Sequence, residues 1–121
     1  MKREILNEWL TALRSGDYDQ GEHRLCRNNK FCCLGVFLEV IKEPYETTNY
    51  NGSDIRLYDE TNDSAVPYKV RMKHKFYSGV GDSLKNEYLS LANLNDYERL
   101  SFCEIADIIE TNPEYYFELE D

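Results

Sequence analysis

Phe31-Cys32-Cys33-Leu34-Gly35-Val36-Phe37-Leu38-Glu39-Val40-Ile41 decides the fold. A short strand-like run passes there directly into an apolar helix, with two adjacent cysteines at the junction. Leu34, Phe37, Leu38 and Ile41 make one helical stripe, Cys33, Val36 and Val40 widen it, and Pro44 stops the helix. A stripe this wide predicts a central helix, buried nearly all round, about which the other elements pack. Immediately upstream, Arg24-Leu25-Cys26 and Lys30-Phe31-Cys32 flank Asn28-Asn29, two residues of a type that tolerates positive φ, so a tight hairpin should hand over to the central helix. Further upstream, Ile5, Leu6, Trp9, Leu10 and Leu13 fall at helical spacing, and Ser15-Gly16 marks a left-handed C-terminal cap.

Downstream of Pro44 the character changes. Thr, Asn, Gly, Asp and Tyr dominate from Tyr45 to Gly81, with strand-like pieces at Asp54 to Tyr58 and Val66 to Met72 and a turn signal at Asn49-Tyr50-Asn51-Gly52-Ser53. Lys69, Arg71, Lys73, His74 and Lys75 form a basic run that reads as the wet face of the second of these strands. Ser78-Gly79-Val80-Gly81-Asp82 is a connection; it lacks the glycine pattern and the lysine of a phosphate loop. Leu84, Tyr88 and Leu91 then share a helical face after a Ser83 cap, ending in the turn Leu94-Asn95-Asp96. Ser101-Phe102-Cys103-Glu104 matches a capping box that opens a last helix with Phe102, Ile105, Ala106 and Ile109 toward the core, closed by Asn112-Pro113. The segment 113–121 mixes Tyr115, Tyr116 and Phe117 with acidic residues and reads either as a final edge strand or as a mobile tail that docks on a partner. The expected fold is α+β: residues 1–121 as a single domain, three or four helices on a small, mostly antiparallel sheet.

With 121 residues, 41% apolar and 31% charged, the chain is long enough for one core and too short for two. Fourteen basic residues stand against 23 acidic ones, a formal charge of −9, which repels nucleic acid and anionic membranes and favours a basic partner. The first residues resemble no secretory signal and no apolar run approaches a membrane span, so a cytoplasmic setting with reduced thiols is expected for Cys26, Cys32, Cys33 and Cys103. Adjacent cysteines and only two histidines, His23 and His74, give no zinc pattern, and neither metal nor cofactor is expected.

Trp9-Leu10-Thr11-Ala12-Leu13-Arg14-Ser15-Gly16-Asp17-Tyr18-Asp19-Gln20, Phe31-Cys32-Cys33-Leu34-Gly35-Val36, Leu91-Ala92-Asn93-Leu94-Asn95-Asp96 and Ser101-Phe102-Cys103-Glu104-Ile105-Ala106-Asp107-Ile108-Ile109-Glu110 together resemble a group of small bacteriophage and prophage proteins without an assigned activity. The resemblance covers about three fifths of the chain and leaves its middle unmatched. It implies a phage protein acting in the host cytoplasm and transfers no catalytic residue.

Candidate partner-binding residues are Arg14, Tyr18, Gln20, His74, Asn95 and Asp96. Arg14 suits an anion held bidentately and Tyr18 a stacked ring, although the same residues at a helix end also serve to satisfy backbone groups. Cys33 opens a helix, where the dipole favours a thiolate, and His74 follows later, an order similar to cysteine hydrolases of the cell-wall peptidase type. Leu34 stands where those enzymes carry a small residue, and Cys33 borders a wide apolar stripe, so a packed thiol outweighs a nucleophile. The expected function is therefore a non-enzymatic phage accessory protein that binds a host protein with a basic surface, for example to inhibit a bacterial defence component. Sequestration of a nucleotide signal is the alternative and a Cys33/His74 hydrolase the second. Homo-oligomerisation stays open.

Overall fold

The computed structural model describes residues 1–59, 63–85 and 89–120. Helix α1 (Arg3–Arg14) buries Leu6, Trp9, Leu10 and Leu13, and Gly16 lies at φ +79°, as the apolar spacing and the Ser15-Gly16 stop predict. Strands β1 (Asp19–Gln20), β2 (Cys26–Arg27) and β3 (Lys30–Phe31) follow. Asn28 and Asn29 both adopt positive φ, 52° and 60°, and so form the two-residue turn that matches the twist of the hairpin β2–β3. Helix α2 (Cys33–Val40) is the centre of the molecule. Six successive residues, Cys33 to Leu38, are buried, and the helix begins with the Cys32 sulfur accepting the Gly35 N–H at 3.4 Å.

Strands β4 (Glu46–Tyr50) and β5 (Ser53–Leu57) form a second hairpin around Asn51 (φ 50°) and Gly52 (φ 85°). Strand order is β1-β3-β2-β5-β4; β1–β3 is parallel and every other pairing antiparallel. Arg56 ties this hairpin to α2: its Nη1 donates to Glu39 at 2.7 Å, and its guanidinium lies 3.9 Å from the Tyr45 ring centroid.

One expected strand is a helix. Residues from Val66 onward alternate basic and apolar positions, yet α3 (Tyr68–His74) forms there, started by Pro67 and stopped by Lys75 in the left-handed conformation at φ 68°. The four-residue spacing of Val70 and His74, both buried, matters more than the two-residue spacing of the cations, because only the former meets the core. The helix expected from Leu84 to Leu91 also begins later. Ser83 Oγ does accept the Lys85 N–H, but Leu84 is exposed and its N–H donates to Tyr115 O. Helix α4 (Leu91–Asp96) starts only after Ser90, whose hydroxyl accepts the Asn93 N–H; Tyr88 lies outside the described residues. Helix α5 (Phe102–Thr111) carries both halves of the Ser101/Glu104 capping box and buries Phe102, Ile105, Ala106 and Ile109.

The α+β class thus holds, with five α-helices among the described residues, α3 being the one that the basic run concealed. Beyond α5 the chain makes a 3₁₀ turn (Pro113–Tyr115) and returns to the core, where Tyr116 and Phe117 are buried and Glu120 bridges to Lys2. Trp9, Phe37, Phe76 and Phe117 form an aromatic cluster with ring centroids 5.0 to 6.3 Å apart, edge-to-face except for the tilted Trp9–Phe117 pair. Trp9 Nε1 donates to Cys33 O at 3.0 Å, fastening α1 to the first turn of α2.

Candidate functional site

A cleft of about 550 Å³ opens between α1, the C-terminal end of α2 and α3, with Glu120 among its lining residues. Its apolar lining is Ile5 from α1, Val40 from the end of α2, Ile41 just past it and Val70 from α3. It carries both signs of charge: Lys2, Lys69 and Lys73, the last two one helical turn apart on α3, line it together with Glu8, Glu43 and Glu120. His74 also lines the cleft, with its ring 5.2 Å from Phe37 in edge contact. Burial, aided by the Lys73 ammonium and opposed by Glu120, holds the His74 pKa below its usual 6.5, so the ring is neutral at physiological pH. On the adjoining face of α3, Tyr68 and Met72 are 69% and 51% exposed, again one turn apart.

A second polar cluster lies at the start of α2. Asn95, fully buried, accepts from Gln20 Nε2 at 2.9 Å and from the Cys33 N–H at 3.2 Å, and donates to Gly21 O at 2.8 Å and Asp96 Oδ1 at 2.9 Å. Both amide hydrogens and both carbonyl lone pairs are then used, leaving it nothing to offer a ligand. Asp96 Oδ1 also accepts the backbone N–H of His23, a residue held at φ 70°. Gln20 completes the set by donating to Leu100 O at 2.8 Å. Gln20, Asn95 and Asp96 therefore come together, with His23 as an unanticipated member, and join β1, α2 and α4.

The other expected residues lie elsewhere. Arg14 Nη2 bridges Asp107 at 2.6 Å and Glu110 at 2.8 Å, clamping α1 to α5, and Tyr18 packs edge-on against Phe31 at 5.3 Å. His74 belongs to the cleft. The cleft's lysines carry a signal of their own in the sequence: Lys69 and Lys73 recur at the same spacing as Val70 and His74, which places all four on one side of a helix.

Cys33 is fully buried with its thiol 3.6 Å from Leu91 O, and burial pushes its pKa well above 9.0, so it is held as a thiol. The neighbouring Cys32 is likewise pushed up, to about 12, by burial. Among the described residues, no helix is long and apolar enough to cross a membrane, and no group of three or more His, Cys, Asp or Glu side chains is placed to hold a metal ion.

A protein-family model described as a domain of unknown function, DUF8296, matches residues 1–113. The chain belongs to this family. The DUF8296 match takes in all five helices and all five strands, so both the cleft's walls and the Asn95 cluster are part of the family's own domain, Glu120 alone lying past it. No curated protein and no solved structure matches the chain.

Proposed function

We propose that this DUF8296 protein is a non-enzymatic binding protein, a phage or prophage accessory factor that engages a host protein through the cleft beside α3. The observation that carries the reading is the pair Tyr68 and Met72, large apolar side chains left in water on α3, the helix that lends Lys69, Val70, Lys73 and His74 to the cleft. Aromatic residues and methionine at the centre of a surface patch, rimmed by charge, are the composition of protein interfaces. The formal charge of −9 favours a partner with basic groups, and the cleft, with three lysines and three glutamates, offers both signs of charge to it. The phage setting rests on the sequence resemblance.

A nucleotide fits this cleft less well, since three carboxylates share its lining with the lysines that would hold its phosphates. A thiolate nucleophile is disfavoured by the burial that keeps Cys33 protonated. Photo-crosslinking amino acids placed at positions 68 and 72, and at the exposed Tyr97 as control, test the proposal in bacterial cells. One host protein crosslinked from 68 and 72 but not from 97, with affinity that falls as salt rises, supports it. Equal labelling from all three positions, or nucleotide-dependent stabilisation of the purified protein without a crosslinked partner, overturns it.

A further inference from the structure

We infer that two copies of this chain pair through β4 to form a continuous ten-stranded sheet. Strand β4 is the edge of the sheet, and all five of its residues are exposed. Edge strands of soluble proteins are ordinarily blunted by lysine, proline or a bulge. Between Glu46 and Tyr50 there is no lysine and no proline, and the register against β5 runs without a bulge from Glu46↔Leu57 to Tyr50↔Ser53.

The register determines which backbone groups face outward. Across a two-residue turn, Tyr50 and Ser53 exchange their N–H and C=O groups with one another, so Thr48 and Glu46 also face β5. Asn49 sits opposite Asp54, whose own C=O and N–H point the other way, to Asn28 of the neighbouring hairpin. Asn49 and Thr47 therefore direct their N–H and C=O groups away from the sheet.

A second copy fits this edge better than an arbitrary peptide because the edge complements itself. With a two-fold axis at Thr48, Thr47 lies opposite the partner's Asn49 and Asn49 opposite the partner's Thr47, so each outward donor meets an outward acceptor in two reciprocal pairs. The whole strand overlaps in this register. Thr48 meets the partner's Thr48, a favourable cross-strand pair, and Glu46, the only charge in the strand, meets the partner's Tyr50 rather than another carboxylate. Tyr45 and Tyr50, both exposed, then flank the seam at each end. This inference is independent of the host-partner reading, and it carries the opposite salt signature. Two chains of charge −9 repel, so added salt strengthens the pairing, whereas it weakens capture of a basic partner.

Sedimentation velocity from micromolar to millimolar protein, at low and high salt, tests the pairing. Wild-type protein is expected to shift from monomer to dimer with concentration, more so at high salt. Thr47→Pro removes an outward N–H without touching the ladder to β5, and it should abolish the dimer while circular dichroism stays unchanged. Thr48→Lys and Thr48→Glu place like charges at the two-fold and should each be monomeric alone, yet their equimolar mixture should recover the dimer. A wild-type chain that stays monomeric throughout, a dimer indifferent to the Thr48 variants, or a mixture that fails to recover it overturns the inference. Should Thr47→Pro unfold, the charge pair at position 48 alone decides.

Discussion

A methyl group on Gly35 would lie 1.8 Å from the backbone oxygen of Leu25, so α2 can approach the β2–β3 hairpin only where a side chain is missing. Gly35→Ala should therefore cost about 3 kcal/mol or more, read as a fall in the urea midpoint, since neither backbone has a rotamer to yield. The glycine was visible in the stretch from Phe31 to Ile41, but not the carbonyl it faces, because contact partners distant in sequence leave no local trace. His74 illustrates the same boundary. Its position was legible as that of a chemically useful side chain, while its neutral state depends first on burial, against Phe37 among others, which the fold supplies. The unfolded chain takes up a proton near pH 6.5 and the folded chain only at lower pH, so stability is full above that value and declines as the pH falls below it. The urea midpoint should drop between about pH 7 and pH 5, and His74→Gln should flatten that part of the profile.

At the scale of elements, local signals succeeded wherever the backbone pattern and the core agreed. The Ser101/Glu104 box, the Asn28-Asn29 and Asn51-Gly52 turns and the Gly16 stop each satisfy donors or allow a positive φ within a few residues, and a sequence displays such requirements directly. They failed at α3, where a seven-residue helix offers too few turns for its period to stand out from the alternating cations. Its end shows a residual tension, since Lys75 occupies a left-handed position that ordinarily takes glycine. Lys75→Gly should stabilise the protein by about 1 kcal/mol, measurable as a raised thermal midpoint, because the strain of a Cβ at positive φ disappears. The cleft escaped sequence reading for a related reason. Its walls come from α1, α2 and α3, and a concavity belongs to none of them singly.

Across the whole molecule, Cys26, Cys32 and Cys33 are enclosed by the packing of sheet and helices, and Cys103 lies exposed on α5. A thiol reagent should label Cys103 rapidly in native protein and reach the other three only in denaturant, a pattern that mass spectrometry of the labelled peptides would resolve. Rapid native labelling of Cys33 would contradict the burial described for it and revive a nucleophilic role. Global charge was legible from composition; where it concentrates was not, since Arg14 is spent on Asp107 and Glu110 and Arg56 on Glu39.

Burial of α2 from Cys33 to Leu38 has a consequence in time. The start of the helix is tied to three neighbours, Cys33 O accepting from Trp9 of α1, the Cys33 N–H donating to Asn95 of α4 and the Cys32 N–H donating to Leu25 O of the hairpin, so the fraying of a single neighbour does not free it. Hydrogen exchange at Val36, Phe37 and Leu38 should thus proceed only through global opening, with protection equal to the full unfolding free energy and the same denaturant dependence. The outward amides of Thr47 and Asn49 should exchange among the fastest in dilute protein. The molecule then keeps its slowest clock at the centre and its fastest at the sheet edge.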